Sequence, residues 1–128
     1  MGVQFWYPQA RHSYQGVEMA HYIVRAKPIL NLMDELRGRL DSGEIREMQP
    51  FGRALQYSLE HARVQDDETA IWEEEDYCIP PLAQERAAVL DTYFRELSVE
   101  KVERGEGWKQ LEELPQIWLS GDGARVID

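Results

Sequence analysis

The run Trp72-Glu73-Glu74-Glu75-Asp76-Tyr77-Cys78 gathers the densest set of chemically capable side chains in the sequence. Its carboxylates can serve in three ways. One of them, held in a dry pocket, would have a raised pKa and act as a general acid or base. Several converging on one point would hold a cation. Splayed and hydrated, they would steer a basic protein by long-range attraction, with Trp72 or Tyr77 as an aromatic anchor. No second group at a fixed spacing accompanies them, so the sequence supplies no constellation for the first use. Cys78 offers a thiol, and His12, His21 and His61 offer imidazoles. A reactive thiolate needs electropositive surroundings or a helix N-terminus. The acids just upstream of Cys78 work against that, and a free cysteine commonly serves as a small buried apolar side chain.

Glu18 and His21 form a Glu-x-x-His element of the kind found in di-iron carboxylate bundles. Such centres need a second element and further inward-facing glutamates. The spacing also demands a helix, because residues three apart share a helical face but lie on opposite faces of a strand. Glu18, His21 and His61 are therefore metal candidates only in an all-helical reading, with Glu60 and the acids 73–76 as further ligands. In the extended reading no metal and no cofactor is expected. The glycines form no phosphate-binding loop, and Gly121-Asp122-Gly123 places an acid where a phosphate would sit. A single cysteine leaves no zinc-type Cys/His spacing, although histidines and carboxylates alone could bind metal. Arg86 is placed to clamp Glu74 or Asp76 in an ion pair.

These residues need elements to hold them. Residues 28–41 predict a helix: Ile29, Leu32, Met33, Leu36 and Leu40 stack on one face, Pro28 suits the first position and Ser42-Gly43 stops it. Residues 81–97 predict a second, with Ala83, Ala87, Leu90, Phe94 and Leu97 as its stripe. Strands are expected over 21–26, 53–64, 69–79 and 99–103. Leu55, Tyr57 and Leu59 alternate with polar residues, although Leu55, Leu59 and Ala62 also sit at helical spacing. In the extended acidic strand, Ile71, Glu73 and Glu75 share one face, and Trp72, Glu74 and Asp76 the other. Unpaired charge is too costly to bury. The strand is thus expected to be wet on both sides, or matched by Arg53, His61 and Arg63 across a hairpin. Residues 108–114 predict a short helix, 116–128 a hairpin and 3–8 an edge strand.

This order matches the split βαβ, or ferredoxin-like, pattern βαββαβ: an α+β fold with an antiparallel sheet, two helices on one face and extra terminal strands. The alternative is a mostly α-helical bundle. In the first reading the uncovered sheet face calls for a second sheet or a second copy, and Trp6, Trp72, Trp108 and Trp118 either fill core or make that contact.

The chain has 128 residues, enough for a single domain over 1–128 with its own core. Its net charge is −10, and the charge is lopsided: residues 1–64 hold 8 Lys+Arg against 7 Asp+Glu, residues 65–128 hold 6 against 17. An acidic surface repels phosphates, which argues against nucleic acid and anionic membranes and favours a basic protein partner. The lone cysteine and the lack of a secretory pattern or spanning segment point to the cytoplasm. No motif specifies a reaction. The expectation is a small non-enzymatic domain acting by contact, as a homo-oligomer or an acidic partner-binding subunit, inhibitor- or immunity-like in its sharpest form. Its contact residues would be Trp72, Glu73, Glu74, Glu75, Asp76 and Tyr77. The alternatives are a small enzyme or ligand sensor using a carboxylate from 73–76, and the helical carboxylate–histidine metal protein.

Overall fold

The computed structural model describes residues 13–14 and 17–118. A short ribbon, β1 (Ser13–Tyr14) and β2 (Val17–Glu18), leads into β3 (Ala20–Pro28). A 3₁₀ turn, Leu30–Leu32, then feeds helix α1 (Met33–Ser42), and α2 (Gly52–Glu60) follows. Next come strands β4 (Arg63–Val64) and β5 (Ala70–Asp76). Helix α3 covers 83–93 and consists of α turns at Ala83–Glu85 and Asp91–Tyr93 around a π-helical stretch, Arg86–Leu90. Strand β6 (Phe94–Val102) and helix α4 (Glu106–Leu111) complete the order. Four strands form one antiparallel sheet in the order β4-β5-β3-β6. The molecule is therefore α+β, and the helical-bundle alternative falls. None of the described helices is long and apolar enough to cross a membrane.

β3 sits in the middle because its sequence suits burial on both faces: Val24 and Ala26 point one way, Ile23 the other, and all three are buried. On the Val24 side, Trp72 of β5 joins one buried cluster with Met33, Leu36 and Leu40 of α1, Leu55 and Leu59 of α2, and Val89 and Leu90 of α3. This is the main core. On the other side Ile23 and Ile71 pack with Leu111 of α4, and Trp108 and Val102 close around them. The second sheet face is thus covered in part by the chain's own short helix, where the sequence suggested a second sheet or copy. Trp72 and Trp118 are core residues; Trp6 lies outside the described residues.

Several expected boundaries move. The first helix starts at Met33, because Pro28 ends β3, paired with Phe94, and Ile29 remains extended. It stops at Gly43, whose φ of +83° is the left-handed conformation glycine tolerates. The second helix ends at Tyr93, not 97: Phe94 and Leu97 belong to β6, which pairs with β3. The expected strand 53–64 is mostly helix α2, with β4 reduced to a two-residue edge. Gly52 opens that helix because a Cβ there would lie 2.5 Å from the carbonyl oxygens of Ile45 and Arg46. Beyond β4, Ser58 of α2 donates to the Glu73 carbonyl at 2.7 Å, so a helix seals the β5 edge that a longer strand would have covered. The edge strand at 3–8 lies outside the described residues, as does the proposed hairpin beyond residue 118.

Candidate functional site

β5 distributes the acidic run to two sides of the sheet. Glu73 and Glu75 point toward α4, while Trp72, Glu74 and Asp76 point into the helix-covered side. The cross-strand partners are not the expected cations but residues of β3: Glu73 opposes Ile23, Glu74 opposes Tyr22, Glu75 opposes His21 and Asp76 opposes Ala20. Nor is the strand wet on both sides. Trp72, Glu73, Glu74 and Asp76 are buried, while Glu75 and Tyr77 are half-buried. The error lies in the premise that only side-chain cations can satisfy a buried acid.

Backbone amides do most of that work here. Glu73 Oε2 accepts the Gly105 N–H at 2.9 Å and Oε1 accepts the Trp108 N–H at 3.0 Å. One carboxylate thereby ties the start of α4 to the sheet. Asp76 Oδ2 accepts the N–H groups of Cys78 (3.0 Å) and Leu82 (2.6 Å), folding the 77–82 loop around itself. Glu74 Oε1 accepts the Trp72 indole N–H at 2.9 Å, but its Oε2 receives no donor. Burial, with Glu85, Asp76 and Glu75 nearby, holds the Glu74 carboxyl well above the usual carboxylate range. Glu85 of α3 is wholly buried, and no donor reaches either of its oxygens. Ligating atoms of Glu85, Asp76 and Cys78 lie within 4.8 Å of one another. Two carboxylates that meet as acceptors can bond only if one holds a proton. Burial, then Asp76, pushes the Glu85 carboxyl up to about 8. The same burial pushes the Cys78 thiol up, which removes the basis for a reactive thiolate.

The α4 side carries the accessible features. A hollow of about 290 Å³ is lined by His21, Tyr57, Ser58, Glu75, Arg104 and Trp108, among others. His21 Nε2 and Glu75 Oε2 are 3.7 Å apart there. A second hollow, of about 300 Å³, shares Tyr57, Gly105 and Trp108 with it and adds His61, Arg63, Lys109 and Glu112. Tyr57, 55% exposed, stacks on His61 at 4.1 Å and meets Trp108 edge-on at 6.1 Å. An aromatic ridge thus separates two hollows with charged walls.

Of the residues singled out in the sequence, Glu75 and His21 come together at an accessible place. His61 lines only the second hollow. Glu18 lies on β2, and the helix that the Glu-x-x-His element requires is absent. Arg86 bonds Asp91 rather than Glu74 or Asp76, because those acids are closed off inside the fold. Glu85 and Tyr57 were missed. Glu85 reads as one more acid on a charged helix face, and nothing in the local pattern marks it as inward. Tyr57 becomes an exposed aromatic only when 52–60 is read as a helix. No protein family, no curated protein and no solved structure matches the chain.

Proposed function

We propose that the protein acts by contact, holding a basic segment of a protein partner against the ridge of Tyr57 and Trp108. The carrying observation is the exposure of Tyr57 between two hollows that it shares with Trp108. Large aromatic side chains anchored at a well-packed surface with a charged rim are what interfaces use for affinity. Glu75 supplies the carboxylate beside them, and the net charge of −10 supplies the long-range attraction. A guanidinium or ammonium over an aromatic face contributes about 0.5–2 kcal/mol, more as water leaves. The acidic run then serves the partner through Glu75 and Tyr77, while Glu73, Glu74 and Asp76 organise the fold behind them.

The finer fold reading, split βαβ, belongs with this proposal. It is supported by the order β6-β3-β5-β4, by antiparallel pairing at every neighbour and by helical connections out of β3 and β5. An enzyme using an acid from 73–76 has less support. Glu73 and Asp76 are occupied by amides, and Glu74 has no exposed surface.

An immobilised array of Lys- and Arg-containing peptides tests the contact reading. Saturable capture is expected that weakens with salt and falls at least about ten-fold in Tyr57→Ala and in Glu75→Lys. Equal capture by the wild type and both variants would refute it.

A further inference from the structure

Glu85 leaves a physical problem that the contact site does not touch. Glu73 and Asp76, the buried acids on either side of the sheet, each have two amide donors, and Glu74 has one indole donor. Glu85 is 0% exposed and has none for either oxygen. What faces it is negative or thiol: the Asp76 carboxylate and Cys78, with Glu74 close enough to repel it. Arg86, next in sequence, turns outward to Asp91. A buried, acceptor-only group surrounded by further acceptors requires something positive among them.

We propose that Asp76, Cys78 and Glu85 form a binding site for a divalent cation of the zinc class. Carboxylates alone would suit magnesium, calcium or manganese; a sulfur donor in the set shifts preference to zinc. Ligand distances of about 2.0–2.3 Å to zinc place neighbouring donors about 3–4 Å apart, so the observed spread closes with a small contraction. The positions are held before any ion arrives. Asp76 is oriented by the Cys78 and Leu82 amides, both on Oδ2, which leaves Oδ1 outside those two bonds. Glu85 is carried on the first turn of α3. Cys78 is half-buried and marks the side from which an ion enters. The competing occupant is a proton shared between Glu85 and Asp76.

Cobalt(II) titration of the chelator-stripped full chain distinguishes them. One Co²⁺ per chain is expected, with a near-ultraviolet thiolate-to-cobalt charge-transfer band that Zn²⁺ abolishes by displacement. Cys78→Ser should lose the band, and Glu85→Gln should bind at least about ten-fold more weakly. Glu47→Gln, an exposed acid between α1 and α2, should leave the band unchanged. The wild-type spectrum needs no variant and is read even if a substitution impairs folding. Absence of stoichiometric binding, binding without thiolate character, or equal affinity in Glu85→Gln would each overturn the site. None of these outcomes bears on peptide capture at Tyr57.

Discussion

Glu73 shows how one residue can be both a liability and a joint. The residue is only 5% exposed, and two amides of the α4 turn point at its carboxylate oxygens. Charged hydrogen bonds of this kind contribute about 1.5–3 kcal/mol each, and losing the acceptor also strands both donors. Glu73→Ala is therefore expected to cost about 2–4 kcal/mol in urea unfolding, with Glu73→Gln milder because it keeps one acceptor. Gly107 is the matching constraint from the helix. A Cβ there would stand 2.7 Å from Glu73 Oε1 and 3.0 Å from Ile23 Cγ1, so Gly107→Ala is expected to destabilise by about 1–3 kcal/mol. Tyr57→Ala, by contrast, should stay within about 1 kcal/mol of wild type in the same measurement while losing peptide capture. At this scale the sequence displays the carboxylates but hides their fates. Which acid meets an amide, an indole or another acid depends on register with β3 and on a loop returning from residue 105, and neither leaves a local trace.

Helix α2 holds the clearest contest between elements. Leu55, Tyr57 and Leu59 fit a strand, and Leu55, Leu59 and Ala62 fit a helix equally well. Polar residues decide it. Gln56 Nε2 reaches the Leu40 carbonyl at 2.9 Å, and Ser58 reaches the Glu73 carbonyl. Both are inward bonds that an alternating strand would have turned to solvent. Ser58→Ala should cost about 1 kcal/mol and speed amide exchange along β5, read by hydrogen–deuterium exchange. β5 was legible as a strand from its length and its flanks, as was the core of β3 from its branched residues. The end of α3 was not, because Phe94 and Leu97 continue an apolar stripe that tertiary pairing with β3 then claims for β6.

For the whole molecule, part of the lopsided charge read from composition is masked. Glu85 is raised from an ordinary 4.5 to about 8, so the metal-free folded chain keeps a proton that the unfolded chain releases. The associated stability is fully present below pH 4.5 and is lost as pH rises to about 8, by up to about 1 kcal/mol per pH unit. Urea midpoints measured with chelator at pH 5, 6.5 and 8 are expected to fall in that order, and Glu85→Gln should flatten the trend. The α+β class was legible because helical and extended periods alternate along the chain. The cover on the second sheet face was not, since a six-residue helix tied down by one distant carboxylate has no period of its own.

The seal that α2 places on β5 governs what happens when the fold loosens. Peeling that helix back would bare a row of unpaired amides and carbonyls, the usual template for fibril growth. The strand laid open is AIWEEED. Copies stacked on it would pile like charges about every 4.8 Å along the stack, and that repulsion penalises every added layer. The same acids that organise the native molecule thus guard its partly opened form against amyloid assembly.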